Sequence, residues 1–562
     1  MAATRPGIRA FAGWIGLVLA PDAAFVRLAV VYGVAISLLS LATPISVQLL
    51  INSVANTALP TPLFTLAGLL FLLLLMAGVL AAFRVHLLAL FERRLYARVV
   101  AEITLRAVHA QNPFFADARN GDLFNRYFDL MTVQKALPSL LIGGFTIVLQ
   151  GAVGLVVTSF YHPFFLAFNA VLALALFIVW QLWASGAIRS AVAKSQAKHE
   201  AAHWLESVGG SNGFYKSSRH LDFAMDRSEA VTAAYVAAHR RHFRYTFAQT
   251  LALLLIYAIA SAALLALGGW LIIQGQLSIG QLVAAELILS GVFYGIAQFG
   301  PYLESLYDLA AGLEELSRFW DVPQEPGQAT GEGEGPADGA IRLARAEHDG
   351  HRFDFEVAAG EQLAVVAAPG ADRVLGMMLK RHLTPARGLV VIGGRDIGGF
   401  DTYRLRAEVM VLDRPSFVEI SIRDYLTLAA SGDAARMVDA LETVGLAERL
   451  AGLPDGLDTI VSTSGWPLSV GELMALKLAA ALLARPKLLF LSPLYDLLPP
   501  ERVDAVLARL RGDTTVLQFT RRPQGLARDG ALWLGSREQR RCGTEAELIA
   551  LASEGGGDAL SA

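Results

Sequence analysis

Cysteine is almost absent from this chain of 562 residues, which contains only Cys542. A single thiol excludes an intrachain disulfide and a metal cluster held by several thiolates. Charged side chains are also scarce, because they make up 17% of the residues while hydrophobic ones make up 54%. The formal net charge of −3 shows no excess of the basic residues that bind nucleic acid. A mean hydropathy of +0.47 is too high for an ordinary soluble protein and indicates membrane spans.

Long stretches without any Asp, Glu, Lys or Arg account for this composition, at 28–83, 136–188 and 245–285. A bilayer-spanning helix needs about 20 apolar residues, so the first two stretches each hold two spans. Polar or turn-rich breaks separate the paired spans, at 52–62 and 159–165. The third stretch holds a fifth span, and a sixth is predicted from Leu282 to about Leu303. A very large buried helical core is the alternative, and uncharged runs of this length argue against it.

Lysine and arginine predict how the spans are oriented, because cytoplasmic loops are enriched in both. The short breaks have neither residue, whereas the segments 84–135 and 189–244 are rich in them. We therefore expect both segments and both termini to be cytoplasmic, in a multi-pass protein of the plasma (bacterial inner) membrane. Residues 1–24 could be a cleaved signal peptide. An interfacial helix fits better, because cleavage would leave the new N-terminus outside.

The two long polar segments have helical patterns and short turns, and we expect them to extend spans two to five into the cytoplasm. Together with the spans they form a predicted membrane domain over residues 25–321. Glu286 lies early in the sixth span, where an ionisable residue is either a functional candidate or a side chain that reaches the nearby interface. Glu304 and Asp308 lie near the inner end and are expected in the cytoplasmic extension.

A Pro- and Gly-rich segment, 322–340, follows the membrane domain and is typical of an interdomain linker. Beyond it, short strand-like runs such as "KLLFLSP" and "TTVLQFT" alternate with helical patterns over about 200 residues. This alternation predicts an α/β domain at 341–550, followed by a flexible tail at 551–562. The predicted fold class is therefore a six-span α-helical membrane domain followed by an α/β domain.

Two features resemble the ABC exporters. Six spans with long cytoplasmic extensions and short outer loops resemble the membrane domain of an exporter half-transporter, and the segment 112–129 resembles its first coupling-loop region. More specifically, "LPDGLDTIVSTSGWPLSVGELMALKLAAALLARPKLLFLSPLYDLL" resembles an ABC ATPase from the signature motif LSGGQ to the Walker B strand. The signature residues are Leu468, Ser469, Val470, Gly471 and Glu472. The resemblance is greatest to exporters of the type I secretion kind, without the peptidase domain that some of them carry.

The same register places "AAPGADRVL", residues 367–375, on the phosphate loop G-x-x-x-x-G-K-[ST]-[ST]. In that loop the glycines let the backbone approach the phosphates, the lysine contacts the β- and γ-phosphates, and a hydroxyl holds Mg²⁺. Gly370 remains here. The residues that replace the two glycines, the lysine and the two hydroxyls are Ala367, Asp372, Arg373, Val374 and Leu375. The loop thus has a carboxylate beside the phosphate positions and no ligand for the metal.

The other positions that the resemblance assigns to ATP hydrolysis are also changed. The Walker B aspartate, the catalytic glutamate, the switch histidine and the D-loop aspartate correspond to Ser492, Pro493, Arg521 and Pro499. The Q-loop glutamine corresponds to Asp413 or, with a shift of one residue, to Arg414. Residues 344–357 lack the usual aromatic side chain that stacks on adenine. Because phosphoryl transfer depends on metal and positioned groups, we expect no catalytic residue, no metal and no cofactor at this chain's own site.

Ser469 and Gly471 remain in the signature motif, at a predicted helix N-terminus that suits phosphate. In the ABC family this motif completes the site on the opposite subunit, so ATP and Mg²⁺ could bind only at a site shared with a partner. Ser469 could equally be an N-cap for the helix that follows.

The resemblance implies two main functions for the chain. One is the non-catalytic half of a heterodimeric exporter, surrounded by membrane lipid, with an ATPase-competent half and a periplasmic adaptor protein as partners and no nucleic acid. The alternative is a pseudo-ABC membrane scaffold or regulatory homodimer without ATP-driven transport. An active transporter with unorthodox nucleotide use is a third interpretation.

Overall fold

The computed structural model describes residues 8–57, 60–116, 121–325, 334–430, 433–525 and 528–554. The chain divides into two compact units, Met1–Glu325 and Pro326–Ala562. Several predicted segments lie partly outside the described residues: the N-terminal helix at 1–7, the first outer break at 58–59, the coupling-loop region at 117–120, the linker at 326–333 and the tail at 555–562.

Long helices make up the first unit. They are α1 (Ile8–Leu19), α2 (Ala23–Leu39), α3 (Ala42–Thr57), α4 (Pro60–Val108), α5 (Asp129–Ser139), α6 (Phe145–Ser159), α7 (Pro163–Gly210), α8 (Ser218–Ile273), α9 (Ile279–Ala297) and α10 (Gly300–Ser317). Six helical segments of the described part are long and apolar enough to cross a membrane, which confirms the predicted number of spans. The helices α4, α7 and α8 continue from the apolar stretches into the charged segments without a break.

The sixth span is shorter than the sequence predicts. A capping box begins α9, because Ser278 accepts a hydrogen bond from Gln281 N while the Gln281 side chain accepts one from Ser278 N. The helix ends at Ala297, and α10 starts at Gly300 with Pro301 in its first turn. A proline is tolerated there, but its ring prevents α9 from continuing into α10. Glu286 is exposed on α9, where its Oε1 accepts a hydrogen bond from Ser290 Oγ at 3.0 Å.

Ion pairs join the charged extensions of the helices. The carboxylate of Asp129, in the first turn of α5, lies 2.6 Å from Lys198 Nζ and 2.5 Å from His199 Nε2, both on α7. Asp308 of α10 pairs with Lys194 of α7 at 3.1 Å. Opposite charges attract more strongly when they are withdrawn from water, so the buried Asp129 carboxylate fixes α5 against α7. The partly exposed Asp308 pair joins α10 to α7 more weakly.

A second buried carboxylate joins the N-terminal helices to the second span. Asp22 lies between α1 and α2, and its side chain accepts from Arg94 at 2.9 Å and from Arg98 at 2.8 Å. Arg84 lies on the same helix, α4, nearer its N-terminus. Its side chain is buried and donates to Thr146 Oγ1 of α6 at 2.5 Å. Both contacts use arginines from the segment that is predicted to be cytoplasmic.

Short strands and helices alternate in the second unit. The strands are β1 (Ile341–His348), β2 (His351–Val357), β3 (Gln362–Ala367), β4 (Arg387–Ile392), β5 (Arg395–Asp396), β6 (Val409–Leu412), β7 (Ile420–Ser421), β8 (Ile460–Val461), β9 (Leu488–Leu491), β10 (Thr515–Phe519), β11 (Gly530–Leu534) and β12 (Gln539–Cys542). The helices are α11 (Ala371–Leu379), α12 (Thr402–Glu408), α13 (Ile422–Ala429), α14 (Ala434–Thr443), α15 (Ala447–Ala451), α16 (Val470–Ala484), α17 (Pro500–Arg509) and α18 (Glu545–Glu554).

The six-stranded sheet of this unit has the order β12-β11-β3-β10-β9-β6. All neighbouring pairs are parallel except β11 with β12. A second, antiparallel sheet has the order β2-β1-β4-β5, and β7 pairs with β8. The inner strands β3, β9 and β10 are almost completely buried, as expected for parallel strands covered on both faces. The predicted alternation of strands and helices is therefore present.

Candidate functional site

Three of the predicted nucleotide-site segments lie at one edge of the six-stranded sheet. The strands β3 and β9 pair with opposite sides of β10, and all three run in the same direction. Their carboxyl ends therefore meet at one edge, where Ala367 ends β3, Ser492 follows β9 and Arg521 follows β10. Open α/β sheets bind ligands at this edge, so it is the candidate site.

The predicted phosphate loop is a closed four-residue turn. Ala371 N donates to Ala368 O at 3.0 Å, and Gly370 has φ +84° and ψ −14°. These values, with Pro369 before the glycine, define a type II turn, which needs glycine at this position. Ala368 N donates to Leu534 O at 2.7 Å, and proline has no N–H. The N–H groups of Ala368 and Ala371 are thus already paired, and position 369 has none to offer a phosphate.

The residues after the turn form the start of α11, and most of them pack in the hydrophobic core. Val374 and Leu375, at the two hydroxyl positions, are buried with Val365 and Phe490 in one apolar cluster. Asp372 lies in the first turn of the helix, where a carboxylate interacts favourably with the positive end of the helix dipole. Arg373 is exposed to solvent. The first turn therefore carries its own anion.

Replacing Gly370 by alanine is expected to destabilise the second unit by about 1 kcal/mol, because a residue with a Cβ is strained at positive φ. The added Cβ itself would have room, since its nearest neighbour is His351 Nε2 at 3.7 Å. The check is the thermal unfolding midpoint of the purified chain. The matched control is Gly471→Ala in α16, whose Cβ would meet nothing within 4 Å. A helical glycine replaced by alanine should not lower the midpoint, so equal losses in both variants would contradict the turn.

The Walker B and catalytic positions contain no carboxylate. Ser492 is buried, its N–H donates to Leu412 O at 3.0 Å, and its Oγ has no hydrogen-bond partner in the described part. Pro493 then starts a short 3₁₀ helix. In the described ranges, no three His, Cys, Asp or Glu side chains are grouped closely enough to hold a metal ion. The two predicted positions at this edge therefore offer no carboxylate to a metal ion or to a water molecule.

The backbone of the residue at the predicted switch position is hydrogen-bonded to the segment that follows β9. Arg521 N donates to Asp496 at 2.7 Å. On the other side of the turn, His351 of β2 lies beside Gly370 and stacks on Phe353, with ring centroids 6.2 Å apart. No local pattern in the sequence singles out His351, so its place beside the turn was not predicted.

The predicted Q-loop position lies in a segment that a half-buried lysine holds in place. Lys477 Nζ of α16 donates to the carbonyl oxygens of Arg414 and Ser416, both at 2.6 Å. Burial lowers the pKa of Lys477, while the nearby Asp413 carboxylate opposes this shift. Asp413 itself is exposed and lies 3.6 Å from Arg414 Nε. Sequence reasoning missed Lys477, since no local pattern connects it to this segment.

The signature residues lie at the N-terminus of α16 and cap that helix. Ser469 Oγ accepts from Glu472 N at 3.3 Å, and Glu472 Oε2 accepts from Ser469 N at 2.8 Å, which is a capping box. Arg449 pairs with Glu472 at 3.0 Å. Burial opposes ionisation of Glu472, but the hydrogen bonds from Ser469 and the Arg449 charge lower its pKa. Around the cap, Leu468 is buried and Val470 is exposed.

Comparisons with known proteins agree with this architecture. Residues 26–296 match the family described as the ABC transporter transmembrane region. The cyclolysin secretion/processing ATP-binding protein CyaB of Bordetella pertussis is 24% identical over 534 residues, which are 91% of this chain and 74% of that protein. The leukotoxin translocation ATP-binding protein LktB of Mannheimia glucosida is 24% identical over 458 residues, 78% of this chain. The match spans 64% of the leukotoxin protein, which is less than two thirds of its length.

A solved structure with the same fold has also been found. It is described as a bacterial Atm1-family ABC exporter with ATP bound, and it matches with a TM-score of 0.77 at 19% identity. The match covers 94% of this chain and 98% of that chain. The predicted resemblance is thereby confirmed for the membrane region and for the fold. Residues 26–296 are similar to the ABC transporter transmembrane region, and the chain has the fold of a solved ABC exporter.

Proposed function

We propose that this chain is the non-catalytic half of a heterodimeric ABC exporter in the bacterial inner membrane, with both termini cytoplasmic. The second half supplies a complete phosphate loop and the catalytic glutamate. The observation that carries the proposal is the hydrogen bond from Ala371 N to Ala368 O, which closes the predicted phosphate loop as a turn.

The side chains around this turn support the proposal. Phosphates bind to free backbone N–H groups and cations, whereas this segment has Pro369 and the carboxylate of Asp372. Mg²⁺ takes oxygen ligands, and the position of its hydroxyl ligand holds Val374, an aliphatic residue packed in the core. The attacking water needs a side chain that accepts its proton, and Pro493 has no acceptor. Hydrolysis at this chain's own site would require all of these changes to be compensated.

The architecture favours a subunit that still moves with a partner. The match to an exporter fold covers 94% of the chain, so the fold of a transport scaffold is kept in both units. The buried Asp129 pairs still join α5 to α7 within the charged extensions. These extensions are the parts of the membrane unit that would transmit movement from an ATP-driven partner.

A specific contact favours a second candidate, a pseudo-ABC scaffold or regulatory homodimer without ATP-driven transport. An ionised Glu472 occupies the N-terminus of α16, where it accepts from Ser469 N and pairs with Arg449. A helix N-terminus binds anions through its free N–H groups and its dipole. A carboxylate that already occupies this position makes the signature motif less suited to a phosphate from another subunit.

Co-purification with an exporter chain that has intact motifs separates the two candidates. The non-catalytic half should show ATP hydrolysis only as part of the complex, and Ser469→Ala should lower that activity at least about 10-fold, as loss of a positioned hydrogen-bond donor does elsewhere. A stable self-dimer, with a melting temperature that millimolar ATP does not raise, would favour the scaffold.

The control for Ser469→Ala is Ser421→Ala. Ser421 caps α13 in the same way, since its Oγ accepts from Asp424 N at 3.0 Å. Both variants lose an N-cap, which is worth about 1 kcal/mol of stability. Only Ser469 lies in the signature motif. An equal loss of ATPase activity in both variants would therefore contradict a nucleotide site shared between the two subunits.

A further inference from the structure

One face of α8 changes from charged to apolar where the helix enters its uncharged stretch. Four residues on this face, called the α8 stripe below, are Arg240, Phe243, Arg244 and Phe247. Their spacing of three and four positions places side chains on one side of a helix. All four are exposed, and the two phenylalanines are 55% and 56% exposed. The same side continues with Leu251, which is 58% exposed, so the stripe leads directly into an apolar surface.

Two contacts between α7 and α8 locate the stripe relative to the bilayer. Ser190 Oγ lies 3.0 Å from His242 Nδ1, and a Cβ added to Gly186 would meet the Tyr245 ring at 2.5 Å. The uncharged stretches of both helices end within one turn of these contacts. Both helices therefore leave the hydrocarbon region at the same level, and the α8 stripe lies where the lipid headgroups begin.

The arginines of the stripe are positive charges without a matching carboxylate. Within the described ranges, neither Arg240 nor Arg244 forms an ion pair. The sequence also has no acidic residue between Glu229 and Glu286. By contrast, two lysines of α7 in the same extension pair with carboxylates. Like charges four positions apart on a helix repel each other, and an anion placed between them would turn this repulsion into attraction.

We propose that the α8 stripe binds an anionic phospholipid of the bilayer. Its phosphate lies between Arg240 and Arg244, because arginine binds phosphate and basic residues next to a span attract anionic lipids. The acyl chains begin along Phe243 and Phe247, whose ring centroids are 5.5 Å apart and which therefore form one apolar surface. This binding does not depend on the proposed pairing with a catalytic half. Only the assignment of the lipid to the cytoplasmic leaflet rests on the proposed orientation.

Photolabelling of the purified full-length chain in phosphatidylcholine nanodiscs tests the site. The probes are phosphatidylglycerol and phosphatidylcholine, each with a diazirine near the ester end of one acyl chain. Mass spectrometry then measures the label on the α8 peptide that contains Phe247. Since each arginine near the surface strengthens the binding of an anionic lipid about five-fold, the phosphatidylglycerol probe should label this peptide at least about 10-fold more. Equal labelling by the two probes would overturn the proposal.

Two double variants decide whether the label reports the stripe. Arg240→Gln with Arg244→Gln should lower phosphatidylglycerol labelling about 10-fold and leave phosphatidylcholine labelling unchanged. Both positions are exposed, so the thermal unfolding midpoint should stay the same. The matched control, Lys216→Gln with Arg219→Gln, removes the same charge roughly 37 Å away along the helix and should keep the wild-type labelling. An equal loss in both double variants would show a general attraction of charge and would contradict a site on the stripe.

An acidic face of a second subunit is the alternative partner for the two arginines. In that case Arg240→Gln with Arg244→Gln would lower the fraction of chains that assemble, measured by chemical cross-linking in the same nanodiscs. Phosphatidylglycerol labelling of the remaining single chains would equal that of the wild type. This result would identify the stripe as a subunit contact and overturn the lipid site.

Discussion

Replacing Ser492 by aspartate is expected to lower the free energy of unfolding of the second unit by about 3 kcal/mol or more. Ser492 is 4% exposed and its Oγ has no partner in the described ranges, so a carboxylate there would be a buried charge without a counter-ion. Thermal unfolding of the purified chain should show this as a midpoint roughly 6–12 °C lower. Aspartate, which the ABC family has at this position, would therefore lower the stability of the second unit.

Two controls give this prediction its meaning. Ser492→Ala removes a buried hydroxyl that has no partner, so the midpoint should stay the same or rise slightly. Mg²⁺ with ATP should not restore the aspartate variant, because a metal would need ligands that the Val374 position does not provide. Recovery of the midpoint in Mg²⁺ and ATP would contradict the proposed loss of nucleotide binding.

The second large effect is expected from Asp129→Asn. The Asp129 carboxylate is 3% exposed and contacts both Lys198 and His199, so the neutral amide leaves a buried polar cluster without its anion. We expect a loss of about 2 kcal/mol, below the range for fully buried pairs because half of the Lys198 side chain is exposed. Hydrogen exchange should show α5 opening more often, while the apolar stretch of α7 stays protected.

Asp308→Asn is the matched control for this variant. Asp308 also pairs with a lysine of α7, but its side chain is 37% exposed and Lys194 is the partner. Partly exposed pairs contribute less than about 1 kcal/mol, so α5 should keep its exchange rates. If hydrogen exchange of α5 became equally faster in both variants, the general loss of a negative charge, and not the Asp129 cluster, would determine how often α5 opens.

The helices of the membrane unit could be predicted from the sequence because the uncharged stretches that signal them are long. Uncharged stretches such as 136–188 leave helices as the only way to satisfy the backbone in a bilayer. The sequence predicts the end of the sixth span too late, near Leu303, because the hydropathy continues past the helix break at Pro301. Composition reports where a chain is apolar, whereas a single proline determines where its helix stops.

The candidate site was only partly predictable. The Pro369-Gly370 pair is a turn signal in its own right, and it correctly favours the type II geometry that the structure has. The capping box of Ser469 and Glu472 is likewise a local pattern. The contacts of Lys477 are different, because its partners are 61 and 63 positions away in the chain. Such contacts depend on how β6 and α16 pack together, which no local pattern reports.

The burial of Val374 and Leu375 has a consequence for how this protein responds to the state of the cell. A domain that binds ATP is stabilised by its ligand, and the gain grows with the ligand concentration. Here the same stretch of α11 is stabilised by aliphatic packing that needs no ligand. The proposed lack of ATP at this chain's own site therefore predicts that the purified chain, separated from any partner, resists proteolysis equally well with and without ATP, whereas an ATP-binding partner becomes more vulnerable as the nucleotide concentration falls.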